Sequence, residues 1–163
     1  CHDKVCTYRF AIFGLTAMSV SAETHPADNM KFNNVAISVA NIDESADWYA
    51  KIFGFTLVSR TFFEPVSAEV AFLARDDIRI ELLQVEGAGR VEQLYDNPPQ
   101  HLKTLGIKAI VFDVPDLPAF SDFLAENNVT VIWANQTLND EGLKSTLLRD
   151  LDGNLINVFG RNE

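Results

Sequence analysis

The chain predicts an α+β fold made of two tandem β-α-β-β-β modules, and three observations carry that prediction. Asn33 to Val58 reads as a strand, a helix and a second strand in succession. The same pattern returns about 75 residues later, where Val35, Val39, Ile42, Asp47, Trp48 and Tyr49 fall on Ile110, Val114, Leu117, Asp122, Phe123 and Leu124. The match extends to the far end of each module, with Ile80-Glu81-Leu82-Leu83 on Ile156-Asn157-Val158-Phe159. A constant offset held over both ends is the signature of an internal repeat.

Each element has a local reason. From Phe32 to Ala40, apolar Val35, Ile37 and Val39 alternate with Ala36 and Ser38, the period of a strand with one buried face. Asn41 to Ser45 supplies side-chain oxygens that cap a helix start, and Trp48, Tyr49, Ile52 and Phe53 recur at helical spacing over Asp43 to Phe53. Gly54 closes that helix where a left-handed backbone is needed. A second strand follows from Phe55 to Arg60, Glu64-Pro65 interrupts, and Ser67 to Ala74 makes a third. Asp76-Asp77 is turn chemistry, and Ile78 to Val85 alternates strongly as a fourth strand.

Residues 87–105, rich in Gly, Asn, Pro and Gln, read as the joint between a first repeat over about 31–86 and a second over about 106–161. The second repeat runs as a strand (Gly106 to Val114), a helix (Leu117 to Glu126), a strand (Val129 to Trp133) and a polar loop (Gln136 to Gly142). A hairpin of Leu143 to Arg149 with Asn154 to Phe159 ends it. Asp152-Gly153 in the hairpin turn is a strong signal for such a joint. Asp150 and Asp152 lack the further oxygen donors that a calcium loop requires, so a plain turn is the reading.

Composition narrows the function. A formal charge of −10 with no cluster of Lys and Arg argues against nucleic acid or an anionic membrane as partner. Residues 1–22 read as a signal peptide: Lys4 and Arg9 precede the apolar run Phe10 to Val20, and Val20-Ser21-Ala22 offers a cleavage site. Residues 23–30 are a polar linker, and 31–161 a single domain. The expected location is periplasmic or secreted, or cytoplasmic if translation starts at Met30. Both cysteines, Cys1 and Cys6, lie in the leader, so the domain holds no disulfide, thiolate ligand or Cys nucleophile.

Phe32-Asn33-Asn34-Val35-Ala36-Ile37-Ser38-Val39, the Asp43-x-x-x-x-Trp48-Tyr49 helix ending in Phe53-Gly54-Phe55, and Leu148 to Ile156 together resemble the vicinal oxygen chelate superfamily. That superfamily includes glyoxalase I, extradiol dioxygenases and the fosfomycin- and bleomycin-resistance proteins. The resemblance covers roughly Met30 to Arg161. It implies that each module curls into a half-barrel, giving a curved, incomplete-barrel sheet around a central cleft, and that a homodimer is the expected assembly. It also implies four metal-ligand positions, usually His or Glu. Here they fall on Asn34, Glu81, Ala109 and Asn157, so only Glu81 matches. One carboxylate, two neutral amides and a methyl group make a poor site for a divalent ion, and no cofactor is expected. A rearranged metal site with His101 as substitute ligand is the alternative.

Strand parity then fills the cleft, because residues two apart share a face. With Glu81 go Arg79 and Leu83; with Asn34 go Ala36 and Ser38; with Ala109 go Val111 and Asp113; with Asn157 go Leu155 and Phe159. Val35, Ile37, Ile80, Leu82, Ile110, Phe112, Ile156 and Val158 face the helices as core. Glu81 is the candidate catalytic residue, as a general acid or base. Asn34, Ser38, Arg79, Leu83, Val111, Asn157 and Phe159 are the candidate ligand contacts. Trp133, Phe63 and Phe72 either stack on a planar ligand or belong to the core, and Arg149 supports the terminal hairpin. Two functions follow. One is a metal-free protein resembling the bleomycin-resistance branch, which binds a small organic ligand in a largely apolar cleft. The other is a lyase, isomerase or dioxygenase working through Glu81.

Overall fold

The computed structural model describes residues 25–161; the expected leader lies outside them. Residues 25–32 belong to a separate unit, in which the Asp28 amide closes a turn onto the His25 carbonyl. The domain from Asn33 onward holds two modules of identical topology. Module one contains β1 (Val35–Ser38), α1 (Ile42–Phe53), β2 (Thr56–Phe63), β3 (Ala68–Arg75) and β4 (Ile78–Val85). Module two contains β5 (Ile110–Val114), α2 (Leu117–Glu126), β6 (Val131–Thr137), β7 (Lys144–Arg149) and β8 (Leu155–Gly160). The sheets are ordered β1-β4-β3-β2 and β5-β8-β7-β6, mixed and unclosed, with one parallel pair in each. That is the duplicated pattern the repeat predicts.

Boundaries differ at strand ends. β1 is shorter than Phe32 to Ala40, and β6 runs on to Thr137, through residues whose polarity reads as loop. Two register shifts against β7 accompany that extension, as irregular pairing lets a strand absorb residues that break strict alternation. β2 likewise reaches Phe63, ending at the 3-10 turn over Glu64–Val66 where the proline stands.

The helices cap and stop as their residues dictate. The Asn41 side chain accepts from the Asp43 and Glu44 amides, and Gly54, at φ 70°, closes α1 with bonds to the Ala50 and Tyr49 carbonyls. Ile37, Ile80, Leu82, Ile156 and Val158 are buried on the helix side of the two sheets, with Val35, Ile110 and Phe112 packed against them. Phe53, at the end of α1, meets Phe112 of β5 at 5.1 Å and Phe120 of α2 at 5.7 Å between ring centroids. The two modules therefore share one core. A second tie is polar: the buried Tyr49 hydroxyl donates to Asp150 at 2.9 Å, across 101 residues of sequence. Among the described residues no helix is long and apolar enough to cross a membrane.

Candidate functional site

The sheet faces turned away from the helices carry the residues that parity assigns to the cleft. In module one, β4 places Glu81 between Ala36 of β1 and Phe72 of β3. Asn34, just ahead of β1, donates its amide N–H to Glu81 Oε2 at 2.7 Å. Arg79 turns elsewhere: its guanidinium lies 5.0 Å above the Phe72 ring and reaches Asn33 Oδ1 at 3.4 Å. Among the described residues no cation forms an ion pair with Glu81.

Module two answers with different chemistry. Asn157 of β8 sits between Val111 of β5 and Leu147 of β7. Its Oδ1 is buried without a hydrogen-bond partner. Trp133 lies opposite Leu147 and donates its indole N–H to Ser145 Oγ at 3.0 Å, so this ring is fixed by a polar anchor. Val111 is 56 % exposed, whereas Leu83 and Phe159 are half-buried. Phe63, at the end of β2, is 54 % exposed and takes no part in the core.

The four repeat-related positions do not suit a divalent ion. Asn34 spends a donor on Glu81, Ala109 offers no donor atom, and Asn157 has only a neutral amide oxygen. Among the described residues no three His, Cys, Asp or Glu side chains are grouped to hold a metal. His101 is therefore in no such group. It sits buried in the 3-10 turn Gln100–Lys103, its Nδ1 unpartnered, with its pKa lowered by burial and by Lys108 and Arg149.

A cavity of about 250 Å³ opens where the edge strands β1 and β5 meet. Ala36 and Ser38 line it from module one, and Ala109, Ile110 and Leu155 from module two. Leu94 and Tyr95 of the joint, with Ile107 and Lys108 just after it, complete the lining. Glu81, Arg79, Leu83 and Asn157 do not border this cavity, and Phe159 borders a separate open hollow with Asp113 and Arg161. So Asn34 meets Glu81, Ser38 and Ala109 share a cavity wall, and Phe159 stands apart.

The joint residues are what sequence reasoning missed. Periodicity is silent between strands, yet a stretch of some 20 residues without a long element is itself unusual in a compact domain. Arg149 pins this segment in place. It donates to the Tyr95 and Gly153 carbonyls, each at 2.7 Å, and to Asn97 Oδ1 at 2.9 Å. It thus supports the β7–β8 turn, as expected, and the cavity cover as well. Asp150 completes the turn, accepting from the Asp152 and Asn154 amides at 3.0 and 2.8 Å.

Residues 31–158 match the profile of the Glyoxalase/Bleomycin resistance protein/Dioxygenase superfamily. Among solved structures, a glyoxalase family protein from Enterococcus faecalis is similar with a TM-score of 0.68 at 17 % identity, covering 81 % of this chain and 98 % of that one. A glyoxalase family protein from Bacillus cereus gives 0.64 at 19 % identity, covering 80 % and 93 %. The fosfomycin resistance protein FosX from Listeria monocytogenes gives 0.61 at 10 % identity, covering 82 % and 94 %. At such identities the likeness is one of fold. A search of curated protein sequences finds no match.

Proposed function

Because the chain belongs to the Glyoxalase/Bleomycin resistance protein/Dioxygenase superfamily, we propose that it binds a small organic ligand between its two modules without a resident divalent ion. One observation carries the reading. The single carboxylate among the four repeat-related positions is already bonded to Asn34, and the other two positions hold a methyl and a neutral amide. Charge that would otherwise go to an ion is left to a hydrogen-bond donor on a ligand. Phe72, opposite Glu81 on β3 and stacked by Arg79, and Leu83, two residues along β4, suit an organic body with a few polar contacts.

A second reading has one observation in its favour. Glu81 is half-buried and forms no ion pair among the described residues, so it is chemically placed to take or give a proton next to a bound carbonyl.

A thermal-melt scan separates these readings. Nickel, zinc, manganese and iron(II) at millimolar concentration are expected to leave the midpoint unchanged, while members of an aromatic compound panel raise it. An ion-dependent rise that disappears in Glu81→Ala would overturn the metal-free reading. Turnover of a bound compound that is lost in Glu81→Gln, with binding retained, would select the catalytic one.

A further inference from the structure

We infer that the cavity between β1 and β5 takes a small organic carboxylate, its charged end held by Lys108 and Arg90. The inference rests on the reading of an organic ligand between the modules; it names the class of ligand and seats its charged end in the β1–β5 cavity, which Glu81 does not border. The 250 Å³ cavity continues into a second hollow of about 180 Å³, the two sharing Ser38 and Tyr95 as walls. Lys108 lines the first and Arg90 the second.

Both cations are held in place by neutral oxygens. Lys108 Nζ donates to the His101 carbonyl at 2.9 Å and to the Thr104 carbonyl. Arg90 lies 4.5 Å above the Tyr95 ring and donates to the Asp152 carbonyl. Among the described residues neither has a carboxylate partner. An ammonium carries three donors and a guanidinium five, so each retains N–H groups for a ligand.

The linings of the two hollows carry two cations, Lys108 and Arg90, against one carboxylate, Asp152. Arg149 stands close enough to Arg90 for the guanidinium pKa to be lowered, after burial, by that neighbour. Asp152 accepts from the Ala40 amide at 3.1 Å, and nearby Asp150 accepts from Tyr49 and Asn154, so both carboxylates are turned to donors of the chain rather than to Lys108 or Arg90. In a chain of formal charge −10, a pocket with this cationic excess runs against the whole-molecule field and favours an anion locally. Leu94, Ile107, Ile110 and Leu155 line the first hollow and supply the walls for an organic body. At about 250 Å³ the cavity lies just below the usual range of ligand sites, which suits a small organic body.

The test is calorimetric titration of the full chain with 4-phenylbutyrate and with its amide. The acid is expected to bind about tenfold tighter than the amide, the value of a charge-assisted hydrogen bond. Lys108→Gln and Arg90→Gln should each bring that ratio toward one. Lys108 also ties two joint carbonyls, so the unfolding midpoint of Lys108→Gln is measured alongside. Arg90→Gln, on an exposed side chain, carries the test if the lysine variant does not fold. Equal affinity for acid and amide, or a preference that survives in Arg90→Gln, would overturn the assignment while leaving the organic-ligand reading in place. Binding of neither compound overturns it too. The wider reading then falls only if the aromatic panel also fails.

Discussion

Glu81 and Asn157 occupy equivalent places in the two modules, yet their surroundings solve opposite problems. In module one a carboxylate has acquired a donor, Asn34, from the start of β1. In module two the equivalent strand start is Ala109, and the Asn157 oxygen is left buried and unpaired. The backbone repeat is preserved and the polar repeat is not. Topology is carried by the alternation of many apolar residues, so it tolerates the loss of any one side chain. A donor set depends on a few atoms and is lost with a single change.

The largest effect is expected where the modules are tied together. Asp150 is buried and accepts from Tyr49 Oη, Asn154 Nδ2 and two backbone amides. Asp150→Ala leaves those donors unmet and should cost about 3 kcal/mol of stability in urea unfolding. Burial raises the Asp150 pKa above 3.8, with the hydrogen bonds from Asn154 and Tyr49 opposing. The folded state then holds this proton more tightly than the unfolded chain. Its contribution is full below about pH 3.8 and is lost as pH rises through the raised native value. The stability of the wild type relative to Asp150→Asn should therefore fall with rising pH across that window. A difference that is flat, or that grows, breaks the assignment.

A gain comes next. If the repeat brings its four positions around a common hollow, Asn34→His, Ala109→His and Asn157→Glu combined should restore a donor set with Glu81. Nickel at a hundredfold excess over its dissociation constant would then stabilise the fold by about 2.7 kcal/mol. No midpoint shift on adding nickel would show that the four do not converge.

The contrast between the two strands sharpens with single changes of about 1 kcal/mol. Asn157→Leu removes a buried, unpaired oxygen and should raise stability by about that much. Glu81→Leu removes the partner of Asn34 and should lower it by a similar amount. Equal signs for the two would mean that the modules do not differ as described.

The helix ends give the smallest contrast. Gly54 stops α1 at φ 70°, with only Arg75 side-chain atoms near a prospective Cβ, the closest at 3.7 Å. Gly54→Ala should therefore cost about 1 kcal/mol through backbone conformation alone. Asn127 after α2 has φ −93°, open to any residue. Asn127→Ala loses only the exposed bond to the Phe123 carbonyl, a few tenths of a kcal/mol. Chemical unfolding of both variants measures the difference.

The sequence carries the fold well because period-two and period-3.6 patterns are local. Ile37, Ile80, Leu82, Ile156 and Val158 all lie on the face their alternation predicts. Element ends are less legible, as Thr137 and Phe63 show: register shifts let β6 run on through polar residues, and regular pairing with β3 carries β2 on to Phe63. The candidate site is legible only by module. Parity puts Glu81 with Ala36 and Asn157 with Val111, but the choice of Asn34 as partner, with Arg79 turned to Phe72, is a matter of tertiary geometry. The Tyr49–Asp150 bond joins residues 101 apart, and no local pattern announces it. Leu94 and Tyr95 reach the cavity from a segment with no period at all.

The bond between Tyr49 and Asp150, with the rings of Phe53, Phe112 and Phe120 beside it, makes each half the template for the other. Cutting the backbone between Ala88 and Arg90 would leave two polypeptides that still recognise one another through that hydroxyl and those three rings. Mixed in equal amounts, they should reassemble into a native heterodimer, while either one alone should stay unstructured. Circular permutation at the same place is expected to succeed for the same reason.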